Sequence, residues 1–327
     1  MMSLLKSRWP LILVLVSAFG FSIQSLLLKV LFQHGFSGSI QCVFARGIIQ
    51  LITSSLILYY DSDRKTGKAP RLFGDTSFIT MMLFLRSIVG FGGITFSFLS
   101  VEYLPIGDST VLQNLSPVFA TIGSYFVLGE SWRLPEFVAT VLSLFAAVFV
   151  ARPPSLFGGS NGNSSGNNLL GLFYAFMAAA TAGLAYLCIR ILGTTAKIPW
   201  VNILFAQSLG QVFLSFPSMY VFGEKVTVLD MTGYEYVLII SSGLMGTLSQ
   251  IAMTVGMQRE KSANATVMRM SEVLFGFLWQ LLLTDDPVNL LSVLGSVLIT
   301  VGVMIIVVFK QAEDHLAAKQ TDKQKKN

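Results

Sequence analysis

The apolar residues of this chain are gathered into ten long blocks, roughly 9–31, 39–60, 78–101, 105–128, 134–151, 169–190, 200–222, 234–257, 262–283 and 288–309. A helix needs about 20 mostly apolar residues to cross the hydrocarbon core of a bilayer, so each block has the length of one span. Continuous runs such as Leu281-Leu-Leu and Val301 to Phe309 lack the alternation that a barrel strand requires. The fold class expected is an all-α membrane protein with ten transmembrane helices. With 53% apolar and 12% charged residues, the chain lies far from the soluble average of roughly a quarter charged.

The basic residues give these spans an orientation, because Lys and Arg in short loops favour the cytoplasmic side. With the N-terminus inside, sixteen of the 22 Lys and Arg fall in inner segments and two, Arg152 and Lys225, in outer ones. The other four, Lys29, Arg46, Arg86 and Arg269, lie within spans. The net charge of +5 therefore reports topology, nucleic acid is not an expected partner, and both termini are expected in the cytosol. The first block follows Lys6 and Arg8, is too long for a cleaved signal and lacks a clear small-residue cleavage site, so it is expected to stay as span one.

The chain also repeats itself. Shifted by 156 positions, Asp108 to Phe119 falls without gaps on Asn264 to Phe275, and the register continues with Gly129-Glu130 on Asp285-Asp286 and Val141-Leu142 on Val297-Leu298. Each half holds five blocks, and an odd number sets the second copy upside down relative to the first. Inverted repeats of this kind place a solute site near the bilayer midplane where the copies meet. The halves read as 1–151 and 169–309, joined by a Gly/Asn/Ser-rich, flexible, non-cytosolic linker over 152–168 and followed by a basic cytosolic tail, 310–327. Asn163-Ser-Ser in the linker is a glycosylation sequon, a pattern that Asn114 and Asn264 share in or beside helices.

Several residues resemble a known family. Arg86 through Phe98, Tyr103-Leu-Pro-Ile-Gly-Asp-Ser-Thr-Val-Leu, Leu115-Ser-Pro-Val-Phe119 and Gly129-Glu130 are similar to the EamA-type domain of the drug/metabolite transporter superfamily. The second copy departs from that pattern, with Ser271-Glu272-Val273 and Asp285-Asp286, in a way that resembles the eukaryotic solute carrier 35 group. The resemblance implies two inverted five-helix repeats, the first four helices of each around a central cavity and spans five and ten outside.

Charges inside spans carry the candidate chemistry, since burying one in lipid costs at least about 2.5 to 3.5 kcal/mol on the lenient scales. Arg86 and Arg269 lie roughly 12 and 10 Å along spans three and nine from the cytosolic side, at 1.5 Å per residue. Arg46 and Lys29 lie toward the outer ends of spans two and one. A subset of these cations is expected to bind an anionic solute, guanidinium forks meeting a carboxylate or phosphate. Gln113, which the repeat matches to Arg269, and the adjacent Asn114 are expected to orient it. Other readings stay open: Arg269 and Glu272, three apart on one helix face, as a structural pair, Arg46 as a snorkelling structural arginine, Lys29 as an interfacial anchor and Pro117 as a kink in span four.

No enzyme activity and no cofactor are expected. His34 and His315 are far apart and outside the spans, Asp285-Asp286 has no second acidic cluster, and no phosphate-binding Gly-rich loop precedes a Lys-Ser or Lys-Thr pair. Cys42 and Cys188 both fall in spans, where neither a disulfide framework nor a metal site is expected. Glu272 is the acidic residue deep enough in a span to carry a proton, so exchange and proton coupling are both open. The partners expected are a small-molecule solute and the bilayer, with a homodimer left open. Lys323-Gln-Lys-Lys-Asn327 resembles a dilysine retrieval signal or is a plain solvated tail, which leaves Golgi/endoplasmic reticulum and plasma membrane undecided. The reading is a secondary transporter of a small anionic organic solute working by alternating access. Its alternatives are a membrane regulator or scaffold with a vestigial cavity, and an exporter of neutral or cationic metabolites.

Overall fold

The structure, a computed structural model, describes residues 2–65, 76–128, 165–194, 198–224, 231–259, 271–284 and, save 299, 290–302, together with Arg269 and isolated positions in 138–149 and 304–308. Among the described residues there is helix and no strand. In chain order the helices are α1 (Met2–Gln33), α2 (Ser39–Lys65), α3 (Ser77–Tyr103), α4 (Ile106–Gln113) and α5 (Ser116–Leu128), then α6 (Ser165–Thr194), α7 (Trp200–Val221), α8 (Gly233–Arg259) and α9 (Ser271–Leu283). A further apolar helix, α10, covers Leu290–Gly302. Local signals set several starts. Thr76 caps α3 by accepting from the Ile79 N–H at 3.3 Å, and Pro105 and Pro199 stand just before α4 and α7, where a missing N–H costs nothing.

The residues are sorted inside out. Phe84, Phe126, Phe213, Phe216, Leu274 and Leu281 are exposed, while Arg46, Arg86, Gln207, Gln211, Ser215 and Glu272 are buried. Such a molecule is solvated by lipid on its outside and keeps its polar groups for its interior. Among the described residues, five helices are long and apolar enough to cross a membrane: Trp9–Gln33, Ser39–Tyr60, Ser77–Tyr103, Leu169–Gly193 and Gly233–Gln258. The other expected spans differ. Block 105–128 is two helices, block 262–283 shows helix from Ser271, and block 134–151 lies almost wholly outside the described residues. The 22-residue α7 is long enough but not among the five, because Asn202, Gln207, Ser208, Gln211 and Ser215 interrupt it, and all five are buried.

First-half helices pack on second-half ones: α3 lies against α6 and α7, α1 against α8 and α9, and α2 against α7. The 156-residue shift carries the bounds of α3 onto those of α8, Gly233–Arg259. Block 105–128 is broken at Asn114-Leu115. Asn114 donates to the Thr110 carbonyl through both its backbone N–H, at 3.1 Å, and its side-chain amide, at 2.8 Å, which closes α4. Pro117 accordingly lies in the first turn of α5, where its lack of an N–H removes no helical bond, so the expected kink is a helix break instead. Gly183 of α6 makes room for this break: a Cβ there would come within 2.6 Å of the Ser116 carbonyl oxygen and 2.8 Å of the Ala120 nitrogen.

Two further expectations are corrected. Ser165 to Asn168, read as linker, begin α6, while the remainder of the linker, with Asn163, lies outside the described residues, as do Gly129-Glu130, Asp285-Asp286, Asn264 and the C-terminal tail. Lys29 is buried rather than anchored at an interface. Its ammonium donates to the carbonyls of Leu104, at 2.9 Å, and Val101, at 3.4 Å, satisfying the open end of α3. The same end of the bundle gathers two carboxylates on the start of α2. Glu102 accepts from the Ser39 hydroxyl at 2.6 Å, and Glu224, just past α7, accepts from the Ile40 and Gln41 N–H groups at 2.9 and 3.3 Å.

Candidate functional site

Between the halves lies a cavity of about 90 Å³. At roughly 10–15 Å³ per water on this measure it holds several waters or part of a small organic solute. Its lining comes from both halves: Phe21 and Gln24 of α1, Arg46 of α2, Arg86, Gly90 and Ser97 of α3 and Gln113 of α4 on one side, Tyr186 of α6, Gln207 of α7, Gln250 and Met253 of α8, Arg269 and Glu272 on the other. Five of the seven residues singled out from sequence, Arg86, Arg269, Glu272, Gln113 and Arg46, therefore meet in one place. Lys29 and Asn114 do not line it. One caps α3 and the other caps α4.

The three guanidiniums are held in different ways. Arg86 donates through Nη2 to the Gln207 side-chain oxygen at 2.8 Å, and its Nε and Nη1 find no partner within the protein. Arg46 donates through Nη2 to the Gly246 carbonyl and the Gln250 side-chain oxygen, both at 3.3 Å, and its Nε is unpartnered. Arg269 is the most engaged. Its Nε lies 3.5 Å from Glu272 Oε2, an ion pair whose alignment falls short of a hydrogen bond. Its Cζ stands 5.0 Å from the Tyr186 ring centre and 5.8 Å from that of Phe21, and Nη1 approaches the Met253 sulfur at 3.5 Å. Arg46 sits over the same Phe21 ring at 5.8 Å, so one aromatic ring serves two cations.

Gln113 belongs to a fixed polar network rather than standing alone. Its side-chain oxygen accepts from the Ser97 hydroxyl at 2.8 Å, and its amide donates to Ser109 at 2.8 Å and Ser100 at 3.2 Å. The amide groups of Gln24 and Gln250 add two more unpartnered donors on the cavity wall. Unpartnered amides also occur away from it, at Gln211, so orphan donors alone do not mark a site. On the cavity wall they converge with a surplus of guanidinium. Sequence reasoning missed Gln24, Gln207, Gln250, Phe21 and Tyr186. The signal available was a glutamine inside an otherwise apolar block, which a reading confined to charges passes over.

Electrostatics differ at the end of the bundle, outside the spans. Burial pushes the Glu224 carboxyl above the usual carboxylate value, and the neighbouring Glu102 adds to this, while the N–H groups of Ile40 and Gln41 pull it back. Cys42 and Cys188 are buried free thiols, and among the described residues no group of His, Cys, Asp and Glu could hold a metal ion.

Long apolar helices around a charged, partly unsatisfied cavity define an integral membrane protein with the build of a solute carrier. Comparison with known proteins makes this definite: the chain belongs to the EamA-like transporter family, whose profile matches residues 8–152 and again 169–308. It is thereby a membrane transporter of the drug/metabolite transporter superfamily. Among its relatives, solute carrier family 35 member G1 of Homo sapiens is 28% identical over 83% of this chain and 71% of its own length. The Mus musculus protein of that name is 26% identical over 88% and 75%. The pseudopaline exporter CntI of Pseudomonas aeruginosa is 25% identical over 92% and 96%. One solved crystal structure superposes with a TM-score of 0.59 over 90% of this chain and 96% of its own, at 14% identity, which speaks to the fold alone.

Proposed function

We propose that this protein is a secondary transporter that moves a small anionic organic solute by alternating access, built as ten helices in two inverted five-helix repeats, 1–151 and 169–309. The observation that carries the reading is the charge of the cavity: three arginines face one glutamate, and two of the three keep guanidinium N–H groups without a protein partner. A carboxylate or phosphate is the group whose chemistry answers such guanidinium N–H donors. The lining supports alternation, because both halves supply it and neither forms the pocket alone. The double family match and the equal bounds of α3 and α8 under one shift support the repeat. The basic inner loops support cytosolic termini. The protein that shares most of its length with this one at 25% identity bears the name of an exporter, which supports efflux as one direction.

Counterflow in proteoliposomes tests the proposal. Purified protein is preloaded in turn with nucleotide sugars, phosphorylated metabolites, di- and tricarboxylates and amino acids, and entry of the labelled solute is followed. Saturable exchange of one anionic class, lost in a folded Arg86→Ala protein, is the expected result. Unchanged exchange in that variant, or exchange of neutral or cationic solutes only, overturns it.

A further inference from the structure

We infer that Gln207 and Gln250 are positioning residues that aim the Arg86 and Arg46 guanidiniums into the cavity while leaving their charge uncancelled, and so set its selectivity for anions. This rests on the anion-carrier reading above. Both contacts have the same construction. An arginine of the first half donates to the side-chain oxygen of a glutamine of the second, Arg86 to Gln207 at 2.8 Å and Arg46 to Gln250 at 3.3 Å. An aspartate or glutamate in either place would orient the fork equally well but would neutralise it, leaving nothing for a solute to answer. An amide oxygen fixes direction through a charge-assisted hydrogen bond and carries no net charge.

The rest of the setting agrees. Arg86 and Gln207 are 2% and 1% exposed, so neither side chain has room to wander. Gly90, one turn along α3 from Arg86, forms the seat: a Cβ there would overlap Arg86 Nη1 and approach Gln207 Cγ to 3.3 Å. Held this way, Arg86 keeps Nε and Nη1 buried and without a protein partner. The acid on the cavity wall, Glu272, is engaged with Arg269 instead.

The test uses the full chain in proteoliposomes with labelled UDP-glucose, glucose 6-phosphate, malate and glutamate as probes. Gln207→Glu is near-isosteric and supplies a built-in competing anion. It is expected to raise KM for the exchanged probe by about 10- to 100-fold, the worth of one charge-assisted contact, with kcat changed little. Gln207→Met, which removes the aim but not the charge, is expected to raise KM by less than Gln207→Glu does. A role in packing alone would lower the folded fraction and leave KM unmoved, or would make Met and Glu equally harmful, and either result overturns the inference. Should Gln207→Glu fail to fold, Gln250→Glu carries the same comparison through Arg46. A wild-type KM in Gln207→Glu while Arg86→Ala has lost exchange sinks the positioning role and spares the transport reading. Wild-type exchange in Arg86→Ala, or silence of the wild-type protein toward all four probes, sinks both.

Discussion

Arg269 and Arg86 show how differently two buried arginines can be used. Arg269 is spent on its surroundings, with a carboxylate, two aromatic faces and a thioether around it, whereas Arg86 has one amide and two idle donors. Removing a partner from a largely buried pair strands the remaining charge. With Arg269 20% exposed, the cost is softened by solvent. Glu272→Ala should therefore lower unfolding stability by about 1–3 kcal/mol, and the double change Arg269→Leu/Glu272→Leu should recover most of it in thermal melts. Lys29 offers the contrast of a cation with no part in the cavity. Lys29→Met leaves the carbonyls at the end of α3 unanswered and should cost about 1–3 kcal/mol while KM for the exchanged solute stays at the wild-type value. The three-residue spacing of Arg269 and Glu272 could be read in the chain. The carbonyls that claim Lys29 could not, since they come from a helix more than seventy residues away in sequence.

Among the elements, the broken span is where sequence and structure part most usefully. The apolar block 105–128 is one uninterrupted run, and its Pro117 marks the wrong residue. The break falls at Asn114-Leu115, set by an asparagine side chain that turns back on its own helix. The second piece, α5, packs closely on α6 at Gly183. Gly183→Ala should cost about 1–3 kcal/mol by overpacking and Gly183→Leu more, read as a lower melting temperature in detergent. The helix α7 makes the converse point. Its apolar residues are legible as a helix, but of the buried glutamines that lower its hydropathy, Gln207 lines the cavity and Gln211 does not. Periodicity reports which face is apolar. It does not report which polar residue within a buried face will find a partner and which will stay unsatisfied. Gln113 and Arg269, which the 156-residue shift matches, both line the cavity.

On the scale of the whole molecule, the two halves are tied at one end through Glu224, which reaches from beyond α7 to the start of α2. Burial raises the carboxyl of Glu224, so the folded protein holds a proton there more readily than the unfolded chain does. For a carboxyl shifted upward the sign is fixed: stability is gained as pH falls from neutrality through the raised value toward 4.5, and is not gained further below it. The melting temperature of the wild-type protein, measured against Glu224→Gln, should therefore rise on acidification across that window. A difference that stays flat would remove Glu224 from the pH response. The cavity carries a consequence of another kind. Among the described residues, three arginines against one glutamate leave two uncancelled positive charges on the cavity wall; in the proposed carrier, whose site would lie within the membrane field, an elementary charge crossing the full field is worth about 2.3 kcal/mol per 100 mV. In a carrier that rocks about this point, the empty form takes that charge through the field on its return, while a form loaded with a dianion takes almost none. Net efflux and homo-exchange should then part company under a clamped potential, with the first strongly voltage-dependent and the second nearly indifferent.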